Sequence, residues 1–348
     1  MLKCGHLPSD DFTWIDGERL IRFGPDVLDE ASGLLASRGF EGYALLTTAR
    51  TLGASERAAG LRGGAAAVHQ VASGRVDEAA AALRADVRGL PLVALGGGRV
   101  IDAAKAIAGA DDLPCAAVPT TLSGAPMTRV HRQPSGAAGA QLVRPSLVIA
   151  EPELMASQPP DQRAASAMNA LAHAAEALYG PLANPVAELA GLKAAELLSG
   201  GLRAAEEAKA RGRLALGALL AGFAVGSAGF ALHHVLGQSF VRVTGAPHAN
   251  VYAVLLPRTL AAMAGRAPEA LGKLARALGN PEPDPASAPT LVAALAAQAG
   301  ATRLAELGVG RERLPEAAAA AAARPDLAVN TPDPPDEAEL LALLESAY

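Results

Sequence analysis

Hydrophobic and polar positions along the first 150 residues alternate between two periods. The runs RLIRFG, GYALLTT, AAAVHQV, PLVALGG, PCAAVPT and SLVIAEP have strand length and sit between turn residues. Between them, PDVLDEASGLLASRG and VDEAAAALRADVRG repeat apolar residues three and four apart and read as helices. This alternation predicts a mostly parallel sheet with helices on its faces. Past Glu151 the strand-like runs stop, and Ala/Leu-rich segments such as DQRAASAMNALAHAAEALYG and PVAELAGLKAAELL continue between Gly and Pro turns. The pattern predicts an α/β domain over residues 1–152 followed by an all-helical domain over 153–348.

One stretch, Leu214 to Leu232 (LALGALLAGFAVGSAGFAL), is uncharged and long enough to span a bilayer. Its Ala and Gly dominance, with two histidines directly after it, predicts one buried core helix that neighbours approach closely. The formal charge of -5, with both signs interspersed, offers no footprint for nucleic acid or an anionic membrane. Two cysteines, Cys4 and Cys115, lie far apart without CxxC spacing, which argues against a disulfide framework or a thiolate metal knuckle. The start, MLKCGHLPSDDF, has no apolar segment behind a basic one, so no export signal is read and a cytosolic protein is expected.

Candidate chemistry begins at GGGRVIDAAKAIAG, which follows the strand PLVALGG and opens a helix. Gly96, Gly97 and Gly98 would let backbone approach a pyrophosphate, and the helix start behind them offers N–H groups and a positive dipole end. A plain strand-to-helix turn would look the same. A second segment, VPTTLSGAPMT, brings Thr120, Thr121, Ser123 and Thr128 together as hydroxyl donors at the end of another strand.

The pair GGGxxxDxxK and PTTxxG resembles the dinucleotide site of the iron-containing alcohol dehydrogenase superfamily, related to dehydroquinate synthases and glycerol dehydrogenases. The resemblance implies that fold, a nicotinamide dinucleotide, and cofactor contacts from Gly96, Gly97, Gly98, Asp102, Lys105, Thr120 and Thr121. Arg99 stands where the family usually has Ser, and Ala125-Pro126 where it has Ser-Glu or Ser-Asp. Many relatives carry an Asp at the end of the early strand that bonds the adenosine ribose. Thr48 occupies that place here, with Arg50 close by, which leaves NADH and NADPH both open.

In the second half, MNALAHAAEALY puts Asn169, His173 and Glu176 on one helical face. Taken alone, a histidine on such a helix is as readily a satisfied core residue. FALHHVLGQ and GAPHANVYAVLLP then resemble the family's HxxxHxLG and PHG or PHA motifs, which border the family's interdomain cleft. The family's iron or zinc sits between an Asp and three histidines, and those positions are Asn169, His173, Phe230 and His248 here. An amide is a weak neutral donor and a phenyl ring has no lone pair, so the resemblance argues against a divalent metal in this chain.

Without a cation to polarise a carbonyl, simple alcohol oxidation suffers most. A C=C bond conjugated to a carbonyl needs less help, and a histidine can deliver the proton. One branch, the maleylacetate reductases of aromatic compound catabolism, fits this chemistry and resembles the chain in PTTLSGAPMT, MNALAHAAEALY and HHVLGQ. They reduce an oxo acid to 3-oxoadipate. Phe230 and Asp102 depart from that branch. The resemblance implies an NAD(P)H-dependent reductase with His234 or His173 as proton donor and His248 orienting substrate. Arg129, Arg242 and Arg258 are candidate partners of an acidic substrate, and His233 is read as a neighbour pointing elsewhere. A homo-oligomer, with a dimer favoured, is expected from relatives. The alternatives are a metal-dependent alcohol or polyol dehydrogenase and a non-catalytic nucleotide-binding homologue.

Overall fold

The strand-like runs of the N-terminal half form one sheet of seven strands, ordered β1-β2-β7-β6-β5-β3-β4. They are β1 (Phe12–Asp16), β2 (Arg19–Phe23), β3 (Tyr43–Thr47), β4 (Ala65–Gln70), β5 (Leu92–Gly96), β6 (Cys115–Pro119) and β7 (Leu147–Ala150). The structure is a computed structural model that describes residues 12–348 apart from 88, 138, 181, 206 and 208, so Cys4 and the stretch read for an export signal lie outside it. The chain forms two compact units, one ending at Ser157 and the other beginning at Gln158.

In the first unit, β3, β5, β6 and β7 are buried along their whole length, as expected for parallel strands covered on both faces. The helices are α1 (Ala31–Ser37), α2 (Ala49–Ala54), α3 (Glu56–Gly60), α4 (Val76–Arg84), α5 (Gly98–Asp111) and α6 (Pro152–Met155). Leu45, Val93, Leu95 and Val118 pack with α1 and α3, whereas Ala44, Leu46, Leu92 and Ala94 pack with α4 and α5 on the other face. β1 has no counterpart among the predicted strands. Its segment FTWID is short and follows two aspartates. Antiparallel pairing with β2 secures it, through a turn in which Gly17 adopts φ 65°, a region that disfavours side chains.

The chain runs outward from β3 to β4, returns with β5 on the opposite side of β3, and continues away through β6 and β7. Winding therefore reverses between β3 and β5, and the C-terminal ends of these two strands flank a crevice, the usual ligand position in an open parallel sheet. Every motif of the first half lies on that rim. At the N-terminal edge of β2 and β7 the buried Arg19 guanidinium ties down the segment between β6 and β7, donating to the carbonyls of Pro145 and Pro126 at 2.9 Å each, and burial lowers its pKa to about 10.

The second unit comprises α7 (Pro160–Glu176), α8 (Pro185–Arg203), α9 (Ala210–Ala228), α10 (Leu232–Thr244), α11 (His248–Ala264), α12 (Pro268–Ala277), α13 (Ser287–Ala296), α14 (Leu314–Ala322), α15 (Pro325–Asn330) and α16 (Glu337–Ser346), with short 3-10 turns between some of them. Pro160 and Pro185 stand at helix starts, where the missing N–H costs nothing, and the Asn184 side chain caps α8 by accepting the Ala187 N–H at 3.0 Å. Small residues bring α8 and α9 together: a Cβ on Gly217 would lie 2.8 Å from Leu198 Cγ.

The apolar stretch from Leu214 to Leu232 is not the single helix the sequence suggests. α9 ends at Ala228, Gly229 turns at φ 82°, and α10 leaves at 98° to α9. The break places Phe230 and the start of α10 against α7, and so builds the second candidate site. Among the described residues no single helix is long and apolar enough to cross a membrane.

Candidate functional site

The first set of candidate residues gathers at the ends of β5 and β6, which pair in parallel with Gly96 opposite Pro119. The N–H of Thr120 donates to the carbonyl of Gly96 at 3.0 Å, which fixes the two loops against each other. Each glycine of the triplet is closely packed by a neighbouring side chain. A Cβ on Gly96 would meet Val100 at 2.6 Å, one on Gly97 would meet Thr121 Cγ2 at 2.9 Å, and one on Gly98 would meet Ser123 Oγ at 3.0 Å. Behind the turn, α5 follows its N-cap Gly97 without a side-chain cap or an acidic residue in its first turn. Thr120 Oγ1 and Ser123 Oγ are buried without a hydrogen-bond partner. A narrow turn, an uncapped helix start and orphaned hydroxyls fit the phosphates of a dinucleotide.

Thr128 is buried in the same segment, and its N–H donates to Gly124 O at 3.1 Å. Thr48 caps α2, its Oγ1 accepting the Thr51 N–H at 3.3 Å, and stands at the end of β3 on the crevice rim. Lys105 is placed differently from the direct cofactor contact that the resemblance implies. Its fully buried ammonium donates to Asp102 Oδ1 at 2.8 Å, Ala125 O at 3.2 Å and Val130 O at 2.8 Å. An ammonium has three hydrogens, and all three are taken. Asp102 and Lys105 thus hold the loop after β6 in shape.

The second set lies wholly in the helical unit. Glu176, the last residue of α7, reaches the start of α10, where Oε1 accepts the backbone N–H of His234 at 3.0 Å and Oε2 meets His234 Nδ1 at 2.5 Å. The N–H groups of Ala231 and His233 also favour its charged form, so one carboxylate serves as the cap that α10 lacks locally. Burial outweighs these contacts and pushes the Glu176 carboxyl up to about 7. The His234 ring stacks on His173 (centroids 4.5 Å) and on Phe230 (4.6 Å), and Tyr252 of α11 lies 5.0 Å away. His248, the exposed first residue of α11, packs on Tyr252 at 4.2 Å.

Burial holds His173 and His234 well below the ordinary imidazole pKa, so both rings are neutral. His234 Nε2, His173 Nδ1, Asn169 Oδ1 and Tyr252 Oη are all buried without a hydrogen-bond partner. Such a concentration of unmet polar atoms is costly unless a ligand meets them. His233 turns away as expected, its Nδ1 bonding Thr259 Oγ1 at 3.0 Å, and burial lowers its pKa to about 3.

The family's metal positions do not fit a divalent cation in this chain. They offer the neutral Asn169 amide, His173, the Phe230 ring stacked on His234, and His248. Two imidazoles and an amide do not make the four-donor set of a tight zinc or iron site. Among the described residues no group of three or more His, Cys, Asp or Glu is placed to hold a metal.

The arginines singled out in the sequence have these surroundings, each within its own unit. Arg129 donates to Leu142 O at 3.0 Å in the first unit, Arg258 donates to Ser346 O at 3.1 Å, and Arg242 is exposed near the end of α10. The cation near the cluster is Arg324, just before α15. It donates to Gln238 Oε1 at 2.7 Å, pairs with Asp326, and is close enough to oppose protonation of His234. Nothing in its local sequence marks it, because a long chain separation brings it there. Glu176 lay within a recognised motif, but its role depends on the α9–α10 break.

Comparison with known proteins agrees with this geometry. Residues 22–155 match the family described as iron-containing alcohol dehydrogenase, and residues 163–348 match the C-terminal part of the Fe-containing alcohol dehydrogenase family. A maleylacetate reductase from Sphingobium indicum is 33% identical over 97% of this chain and 91% of its own length. The crystal structure of maleylacetate reductase from Rhizobium sp. strain MTP-10005 superposes with a TM-score of 0.80 at 31% identity, covering 97% of this chain and 98% of that one. The Agrobacterium tumefaciens maleylacetate reductase structure gives 0.81 at 29% identity over the same shares. The chain therefore belongs to the iron-containing alcohol dehydrogenase family, in its maleylacetate reductase branch.

Proposed function

We propose that this protein reduces an activated oxo acid of the maleylacetate type with a nicotinamide dinucleotide, using His234 as the proton donor. The observation that carries the reading is the Glu176–His234 pair, whose free ring nitrogen is buried and unmet among further unmet polar atoms. Gly96, Gly97, Gly98, Thr120, Thr121, Ser123 and Thr128 cradle the dinucleotide, and Thr48 borders its adenosine end. When bound, the reduced nicotinamide supplies hydride.

Hydride adds to the C=C carbon β to the ketone, and the electron pair of the double bond moves into the carbonyl to give an enolate. A proton must then reach the α carbon. With its carboxyl raised to about 7, Glu176 keeps a proton near neutrality and donates a hydrogen bond through it to His234 Nδ1, which places the ring hydrogen on Nε2. As Nε2 gives up that hydrogen, Nδ1 takes the one from Glu176. The pair delivers one proton and becomes a carboxylate beside a neutral imidazole. No buried imidazolium forms, and no cation is needed at the ketone because charge spreads through the conjugated system.

Arg324 and His248 are the groups suited to an acidic substrate, Arg324 by charge and His248 by its place at the start of α11. The cytosol suits a chain whose Cys115 is buried and unpaired. A homo-oligomer, a dimer first, is the assembly we propose. The test is turnover of maleylacetate by His234→Ala and His233→Ala variants. His234→Ala should lose roughly a hundred- to ten-thousand-fold in kcat while still binding coenzyme, and His233→Ala should not. Full kcat in His234→Ala would remove it as the donor.

A further inference from the structure

The crevice at the C-terminal ends of β3 and β5 is bordered by two arginines, one after each strand. Thr48 and Gly97 are the N-caps of α2 and α5, and each is followed two residues later by an arginine, Arg50 and Arg99. Both guanidiniums are exposed, and among the described residues neither has a hydrogen-bond or ion-pair partner. Most other arginines here are paired, as Arg57, Arg75 and Arg84 are. Arg99 also sits in the first turn of a 14-residue helix, where the macrodipole disfavours a cation unless an anion is near.

Neither guanidinium pairs with a carboxylate among the described residues, and Asp102, one turn further along α5, is paired with Lys105. Residues 43–51, 65–72, 92–101 and 115–124, which form the ends of β3, β4, β5 and β6 and the turns after them, contain no Asp or Glu. In a doubly wound sheet the adenosine ribose lies at the end of the strand beside the glycine turn, here β3. A carboxylate there accepts the 2′-hydroxyl, and an arginine there accepts a 2′-phosphate. Thr47 Oγ1, fully buried at the end of β3, has no partner, and neither does Ser123 Oγ, which lies against Gly98.

We infer that Arg50 and Arg99 form a site for the 2′-phosphate of an adenine dinucleotide, so that this protein selects NADPH over NADH. The inference rests on the dinucleotide reading above and adds its specificity. Arg50 reaches from the β3 side and Arg99 from the β5 side, and the 2′-phosphate accepts charge-assisted hydrogen bonds from both. Thr48, which caps α2, leaves the ribose edge without a competing carboxylate.

The test is calorimetric binding of adenosine 2′,5′-bisphosphate and adenosine 5′-monophosphate, then of NADPH and NADH, to the full chain. The 2′-phosphorylated partner of each pair should bind about ten- to a hundredfold tighter. Arg50→Ala and Arg99→Ala should each lower that ratio about tenfold while leaving the 5′-monophosphate unchanged. Thr48→Asp keeps a side chain able to cap α2 and should invert the preference. Equal affinities within each pair, or alanine variants with an unchanged ratio, would overturn the 2′-phosphate site and leave the dinucleotide reading intact. Failure of all four ligands to bind would overturn both.

Discussion

Replacing Glu176 with Gln separates its two duties, capping α10 and supplying a proton to His234. The carboxyl accepts the His234 N–H at 3.0 Å and meets Nδ1 at 2.5 Å, and it is fully buried. Glu176→Ala would orphan those donors together, at about 1–3 kcal/mol for each buried group left unmet, a large part of the ~5–15 kcal/mol that holds a typical protein folded. Glu176→Gln keeps the shape and one acceptor oxygen, so its cost should be nearer 1–2 kcal/mol, about one altered buried hydrogen bond. The amide cannot pass a proton to Nδ1, however, and Nε2–H can then leave only by creating an imidazolate. Turnover of maleylacetate should fall roughly a hundred- to ten-thousand-fold, with coenzyme affinity unchanged. The pH profile gives an independent readout. The Glu176 carboxyl is raised from 4.5 to about 7, so the proton-bearing pair dominates below that pH and is lost above it. Native kcat should fall as pH rises through about 7, and that limb should be absent from Glu176→Gln. Urea unfolding, steady-state kinetics and coenzyme binding measure the three quantities. Native-like kcat in a folded Glu176→Gln, or an equal further loss when it is combined with His234→Ala, would refute the relay.

Three further outcomes follow from the packing and charge of the two sites. Gly97→Ala places a Cβ 2.9 Å from Thr121 Cγ2, so it should cost about 1–3 kcal/mol in urea unfolding and weaken coenzyme binding. Arg324→Ala should raise KM for an oxo dicarboxylate with little change in coenzyme affinity, whereas Arg258→Ala, whose guanidinium binds Ser346 O, should leave KM alone; steady-state kinetics of both variants decide this. Asn169→Asp with Phe230→His completes an Asp and three-His donor set, and metal analysis should find the double variant binding zinc or iron far more tightly than the native chain.

The sheet was legible in the sequence because its strands are short apolar runs bounded by Gly and Pro, and the glycine turn because its helix follows at once. β1 was not, since five residues beside acidic ones owe their strand to pairing with β2. The break at Gly229–Ala231 was hidden by a run of Ala, Gly and aliphatic residues that reads as one helix from composition alone. Gly229 at φ 82° ends α9, and Glu176, from a different helix, caps the start of α10. Motifs located His173, His234 and His248, and the local pattern also put Glu176 on the face of His173. Its contact with His234, 58 residues away, needed the tertiary fold. Arg324 was invisible for the same reason, standing 90 residues from His234 in the sequence (324 − 234) and carrying no motif.

The central claim is reduction of a conjugated C=C bond with protonation by the Glu176–His234 pair. It is tested most directly by proton NMR of the product formed from maleylacetate and NADPH in deuterated water. A saturated oxo acid that keeps its ketone, carrying coenzyme hydrogen on the β carbon and solvent deuterium on the α carbon, is the predicted result. A hydroxy acid formed by reduction of the ketone, or no coenzyme oxidation at all, would contradict it.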